Sequence, residues 1–330
     1  MKIKILTKKD IQNAIDMAQA IQAVRQAFIR FSQGKAVSPL RTQVPVEDRE
    51  GVVLFMPAYL PGSESLGAKI VSVFPKNLQS GLSTVHAVFV GLDAKTGCPS
   101  SLLDGTSLTA IRTGAASGVA TDLLSRSDSR VAAIFGAGVQ GRTQLEAVCT
   151  VRTITKVWIF DPNPEAAKLY ADEMQQRGDP IPQDISVAST PKQALEKADI
   201  VCTATTSSSP VFSDEDLCLG VHINGVGSYT PEMQEIPSQT VTRSKVVVDS
   251  ISASLAEAGD VIIPLQNNLM EESRIRGEIG QVAAGLIPGR ESDSEVTFFK
   301  SVGLAVQDVA TASLVLKRAR ELNLGTDIDL

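Results

Sequence analysis

Residues 131–141 read Val-Ala-Ala-Ile-Phe-Gly-Ala-Gly-Val-Gln-Gly, an apolar run that closes on Gly136-x-Gly138-x-x-Gly141, and Asp161 stands twenty positions beyond the last glycine. Val131 to Phe135 has the length and character of a fully buried strand. The three glycines permit a tight turn, close backbone approach to a pyrophosphate and close packing of the next helix on the strand. A helix from about 139 to 150 would turn its N-terminal amides and positive dipole end toward the phosphates. Gly136, Ala137, Gly138, Val139, Gln140 and Gly141 then form the cradle. Lys156 to Phe160 is a second short apolar run, and at its end the Asp161 carboxylate can accept the hydroxyls of a ribose. Strand, turn, helix, strand and acid at these spacings point to a dinucleotide. Asp161 favours NAD(H), with NADP(H) as the other possibility: a carboxylate suits a free 2′-hydroxyl and repels a 2′-phosphate, and Asp161-Pro162-Asn163-Pro164 offers no arginine for one.

At 330 residues the chain is long for one core and suggests two domains. Hydrophobic residues make up 43% and charged residues 21%, an ordinary globular balance. The net charge of −6 gives no basic field for nucleic acid or an anionic membrane. Apolar stretches are of strand length, which argues against a membrane span. MKIKILTKKD alternates like a strand and lacks the apolar core of a signal peptide. Four cysteines fit neither a metal spacing nor a disulfide framework, as expected of a cytoplasmic protein. With His86 and His222 the only histidines, a histidine zinc site or a Ser-His-Asp triad is disfavoured, and no metal is expected.

The expected fold is α/β: a Rossmann-type doubly wound parallel sheet domain plus an α+β substrate and dimerisation domain. The latter covers 1–115, joined by a C-terminal helix at about 305–330, and the former 116–304. A helical pattern runs over 9–34 and stops at Gly34; strand-like runs fill 40–103; Thr106 to Ser125 is a helix of small side chains carrying Arg112. From 129 strand and helix alternate, which argues a parallel sheet with helices on both faces. Thr190-Pro191 opens a helix expected over 190–197. Ligands of such a sheet sit beyond the carboxyl ends of its strands. Two further strand ends there are rich in hydroxyls and small residues: Thr203-Ala204-Thr205 and Val226-Gly227-Ser228. A flat nicotinamide could lie against them; ordinary polar loops would look the same.

A second constellation lies in the first half: Arg41, Met56-Pro57-Ala58, Gly67-Ala68-Lys69, Thr84 and Asp104-Gly105-x-x-Leu108-Thr109-x-x-Arg112-Thr113-Gly114-Ala115. With the glycine loop and Ser301-x-Gly303-Leu304-Ala305-x-Gln307-Asp308, the chain resembles the ornithine cyclodeaminase/μ-crystallin family over nearly its whole length. The resemblance implies a homodimer whose N-terminal halves join their sheets into a shared barrel, and an active site between the two domains. It places Arg41, Lys69 and Arg112 where relatives hold a substrate α-carboxylate, and adds Thr113 and Gly303 to the cofactor contacts. Chemistry agrees, because bidentate arginine is the best carboxylate receptor and a buried lysine can exchange a proton with a C=N nitrogen. Taken singly, the same residues read as solvated charges and an edge-strand lysine.

Cyclodeaminases carry an aspartate in the loop after the strand matching His222–Val226, and an acid two residues before Met-Pro. Here those positions are Tyr229 and Leu54. A diamino acid's distal ammonium would lack a counter-charge in a closed pocket. The expected activity is therefore NAD(P)H-dependent ketimine reduction, an oxidoreductase acting on a CH–NH bond. Δ1-Pyrroline-2-carboxylate or Δ1-piperideine-2-carboxylate would become L-proline or L-pipecolate. Arg41 and Arg112 would orient the carboxylate, Lys69 would steady it or relay a proton, and Thr84 and Tyr229 would be secondary polar contacts. The alternatives are an ornithine cyclodeaminase, an alanine dehydrogenase, and a non-enzymatic NAD(P)H or small-ligand binder of the μ-crystallin type.

Overall fold

The computed structural model describes residues 2–62 and 65–329, which form two compact units: one of the described residues up to 112 together with those from 304 onward, the other of residues 113–303. The first unit starts with strand β1 (Lys2–Leu6) and helices α1 (Lys8–Ala14) and α2 (Met17–Ser32). The single helical pattern expected over 9–34 is thus broken in two. Ile15 is extended, and Asp16 caps α2 by accepting the Gln19 amide at 2.8 Å while Gln19 Oε1 accepts the Asp16 amide at 3.2 Å. A reciprocal capping box outweighs continuation of the helix, which would leave those groups in competition with the ladder.

Strands β2 (Thr42–Val46), β3 (Gly51–Leu60), β4 (Ser65–Val73), β5 (Val85–Asp93) and β6 (Pro99–Asp104) follow, and helix α3 (Gly105–Leu124) carries the chain into the second unit. β2 to β6 pair antiparallel, whereas β1 joins β6 in parallel. Helix α11 (Ala305–Glu321) and strand β15 (Thr326–Asp329) return to this unit, completing a seven-stranded sheet of order β15-β1-β6-β5-β4-β3-β2. The period-two pattern of these strands buries one face, with Leu54, Met56, Val71 and Phe89 on the strands beneath α11 and Leu103 on β6, which packs against α1. The opposite face stays apolar and open: Phe55, Ile70 and Val88 stand directly across from one another on β3, β4 and β5.

The second unit contains β7 (Val131–Phe135), α4 (Val139–Val151), β8 (Lys156–Phe160), α5 (Pro164–Gln175), β9 (Ile185–Val187), α6 (Pro191–Ala194) and β10 (Ile200–Thr203). Then come β11 (His222–Gly225), α7 (Ser238–Arg243), β12 (Lys245–Val248), α8 (Ile251–Glu257), α9 (Gly259–Gln266), β13 (Ile275–Glu278), α10 (Ile279–Ala283) and β14 (Thr297–Lys300). All eight strands run parallel in the order β13-β12-β14-β11-β10-β7-β8-β9, so the order reverses beside β7, the point where doubly wound sheets bind ligands. The helix expected over 190–197 is one turn long, because Leu195 caps it and Lys197 adopts a positive φ of 59°. In α3 the small residues have a steric purpose: a Cβ on Gly114 would come within 2.5 Å of the Thr143 carbonyl oxygen on α4.

Candidate active site

At the carboxyl end of β7 the glycine loop folds as a turn whose residues divide by what constrains them. Gly136 has φ of 103°, and a Cβ there would meet the Ala204 oxygen at 2.6 Å; a Cβ on Gly141 would overlap the Gly136 oxygen. Gly138 differs: apart from its own chain neighbours, no atom of the described residues lies within 4 Å of where its Cβ would be. Protein packing accounts for two of the glycines, and the third leaves a cradle open to a ligand at the first turn of α4. Val139, the first residue of α4, is 60% exposed, and the buried Gln140 Oε1 has no hydrogen-bond partner among the described residues. Arg142 donates to the Ala137 and Gly138 carbonyls at 2.5 and 3.0 Å, and the Tyr170 hydroxyl donates to Gly141 at 2.9 Å. Asp161 faces the same loop, its Oδ2 accepting the Ala137 amide at 2.8 Å and its Oδ1 the Asn163 amide at 2.9 Å.

The two other loops are tied together by a residue that sequence reasoning missed. Glu235 is fully buried and accepts from Thr203 Oγ1 (3.0 Å), the Thr205 amide (2.7 Å) and Thr205 Oγ1 (2.8 Å) on one loop. On the other it accepts the Gly227 and Ser228 amides at 2.7 and 3.1 Å. The polar groups of Thr203, Thr205, Gly227 and Ser228 therefore turn inward to the protein, and Ser228 Oγ donates to Met233. Thr203 and Ser228 are wholly buried, so the partly exposed Ala204, Thr205, Val226 and Gly227 carry what surface these loops can offer a flat ring. Val226 is fixed by its amide on the Thr203 carbonyl at 3.0 Å. Burial, with Asp260 next in weight, raises the Glu235 carboxyl above the ordinary carboxylate range. Asp260 in turn accepts the Glu235 amide and pairs with the buried Lys300 ammonium at 2.9 Å. Asp249 holds the end of the unit by accepting the Val302 and Gly303 amides at 2.9 and 2.8 Å, which fixes Gly303 at φ of 86°. Thr113, also buried, uses its carbonyl to accept from Gln144.

In the first unit, the middle of β4 points Lys69 toward the covered face, in register with Met56 on β3 and Phe89 on β5. Its ammonium is 1% exposed and meets both oxygens of a fully buried Asp308 on the first turn of α11, at 3.0 and 2.9 Å. Arg112 Nε donates to the same carboxylate at 3.1 Å, and Arg112 Nη1 donates to Gln307 Oε1 at 3.0 Å. A guanidinium has five donors, so these bonds orient Arg112 without exhausting it. Burial foremost, then the Arg112 charge, brings the Lys69 ammonium from 10.5 down to about 7; Asp308 opposes the fall, and Arg41 adds to it. Lys69, Arg112 and Arg41 are thus electrostatically one group. Thr84 stands apart from this bonded cluster, half-buried in the bend before β5, with its carbonyl accepting the Phe74 amide at 2.8 Å. Tyr229 is half-buried in the loop after β11. Leu54, where the cyclodeaminases would carry an acid, is buried on the same sheet face as Lys69. Among the described residues no cluster of metal-ligating side chains occurs, and no helix is long and apolar enough to cross a membrane.

Comparison with known proteins gives a match to the ornithine cyclodeaminase/mu-crystallin family over residues 1–323. A Δ1-pyrroline-2-carboxylate reductase of Bacillus cereus is 39% identical, covering 98% of this chain and 99% of its own length. The Thermococcus litoralis Δ1-pyrroline-2-carboxylate reductase, solved with NADH and L-proline, is 44% identical with a TM-score of 0.95, covering 99% of this chain and 100% of the other. An archaeal alanine dehydrogenase dimer with bound NAD is 35% identical with a TM-score of 0.93, covering both chains completely.

Proposed function

The chain belongs to the ornithine cyclodeaminase/mu-crystallin family, and from that premise we propose that it reduces Δ1-pyrroline-2-carboxylate to L-proline with NADH. The observation that carries the reading is the buried set of Lys69, Arg112 and Asp308, on the framework shared with the reductase solved with NADH and L-proline. The glycine loop fits the cofactor, because the space beside Gly138 is kept clear by nothing in the protein's own packing. Asp161, anchored beside that loop, suits the ribose of NADH. Bound there, NADH supplies the hydride for the imine carbon.

This chain's residues do the remainder. Arg112 and Arg41 receive the carboxylate, and Lys69 holds a proton at Nζ. As C2 gains the hydride, the C=N π pair moves to nitrogen, which takes that proton; Lys69 regains one from water. Lys69 near pH 7 is suited to give and to recover a proton. Thr84 and Tyr229 are secondary polar contacts, and Thr113, Gly303, and the 203–205 and 226–228 loops line the cofactor. Leu54 in place of an acid leaves a distal ammonium without a counter-charge, which disfavours ornithine. The free state of Cys98, Cys149, Cys202 and Cys218 supports a cytoplasmic setting. The open apolar sheet face supports a homodimer, as in the alanine dehydrogenase.

Purified protein assayed by NADH consumption decides among substrates. Turnover is expected with Δ1-pyrroline-2-carboxylate and, more weakly, with the six-membered Δ1-piperideine-2-carboxylate. Turnover of pyruvate plus ammonia alone, or release of proline from ornithine alone, would replace this reading.

A further inference from the structure

Asp308 is the acid for which the imine reduction proposed above has no stated use. It lies on the first turn of α11, 239 residues from Lys69 and 196 from Arg112 along the chain, yet it contacts both. A buried ion pair is poor evidence of stabilisation, since well-packed apolar residues of similar volume often serve a core as well or better. Beside it on α11, Gln307 Nε2 and Thr311 Oγ1 are buried with no hydrogen-bond partner among the described residues. Such orphaned groups are costly unless a polar molecule meets them. The helix end therefore has the character of a ligand seat.

Lys69 is faced by charges from three separate segments. Arg112 comes from α3, Arg41 from the segment before β2, and Asp308 from α11; its register neighbours on β3 and β5, Met56 and Phe89, are uncharged. Lys69 and Arg112 thus share the one Asp308 carboxylate, with the Arg41 charge acting on Lys69 as well. Without Asp308, a wholly buried ammonium beside two guanidinium groups would shed its proton. It would then offer neither a charge to a carboxylate nor a proton to a nitrogen.

We propose that Asp308 is the positioning residue of this site: its carboxylate fixes the Lys69 ammonium and the Arg112 guanidinium in place and keeps Lys69 protonated during turnover. This rests on the imine-reductase reading for its chemical purpose, but its electrostatic core can be measured without substrate. Protein labelled with 13C at lysine Cε reports the Lys69 titration by NMR, the resonance being identified by its loss in Lys69→Arg. In the wild-type protein Lys69 should titrate near pH 7. Asp308→Asn should lower its proton affinity by about ten-fold or more, and Arg112→Gln should raise it. Opposite signs at two neighbours of one ammonium separate an electrostatic role from general damage.

With Δ1-pyrroline-2-carboxylate, the alkaline limb of kcat/KM should move to lower pH in Asp308→Asn and to higher pH in Arg112→Gln. Should Asp308→Asn not fold, Asp308→Glu carries the test, with a smaller downward shift of the same titration. An unchanged Lys69 titration on altering Asp308 overturns the proposal, as does a limb that stays in place while the titration moves. If the wild-type protein turns over none of the imines, the functional reading fails, and the NMR titration still decides the role of Asp308.

Discussion

With Oδ2 on the Ala137 amide and Oδ1 on the Asn163 amide, the Asp161 carboxylate is held at the mouth of the glycine loop before any ribose arrives. On the proposed reading a charge fixed in this way would discriminate strongly, because it could not swing aside for a 2′-phosphate. Asp161→Ala removes both the ribose acceptor and the repulsion. A hydrogen bond to a charged group contributes about 1.5–3 kcal/mol, so NADH affinity should fall by roughly ten-fold to a hundred-fold. NADPH affinity should fall far less, since relief of repulsion offsets the loosened loop. Fluorescence titration with both cofactors checks this, and equal losses would remove Asp161 from the specificity argument. At the residue scale Arg41, Lys69 and Arg112 were singled out by the family resemblance and not by any local signal, and of these Lys69 and Arg112 meet on one carboxylate. Asp308 stood inside the motif Gln307-Asp308 without a role. An acid in a helix's first turn reads as an ordinary dipole partner, and nothing local marks a lysine 239 residues away.

The ends of β10 and β11 behave as one element because Glu235 accepts from both loops. Glu235→Ala would leave those buried amides and hydroxyls without an acceptor. Each unsatisfied group costs about 1–3 kcal/mol before relaxation, and removing one member of a buried charge network typically costs about 3–5 kcal/mol. The urea midpoint should fall accordingly, and NADH should bind at least about ten-fold more weakly as the loops part. An NADH affinity equal to wild type in protein that remains folded would show that the tie does not shape the cofactor surface. Sequence patterns located these loops but not what joins them, since Met233-Gln234-Glu235-Ile236 reads as a polar surface turn. β14 escaped for a related reason. Its four residues Thr297–Lys300 end in a lysine that looks like a solvent marker, yet Lys300 is wholly buried on Asp260. β7, apolar throughout and closed by glycine, and β8, apolar from Val157 to Phe160 and closed by Asp161, were legible in full.

For the molecule as a whole, the open face of the first unit's sheet is the feature a lone chain does not explain. Phe55, 40% exposed, forms an apolar row with Ile70 and Val88 across three adjacent strands, and Leu102, 36% exposed, stands across from Val90 on the same face. Alternation along β3 to β6 already implied two faces, but one buried face satisfies the core, and only the family resemblance, with its homodimer of joined sheets, said what would cover the other. A contiguous apolar sheet surface is costly in water at about 25 cal/mol per Å², and an isologous contact between two copies removes it with no other partner. Size-exclusion chromatography with light scattering should therefore give about twice the 35.0 kDa of one chain. A double substitution, Phe55→Lys with Ile70→Lys, places charges opposite one another in the middle of that row. It should shift the mass to a single chain while the parallel sheet of the other unit keeps its NADH affinity. A wild-type mass of one chain, or a double variant that remains paired, would assign the open face to some other cover.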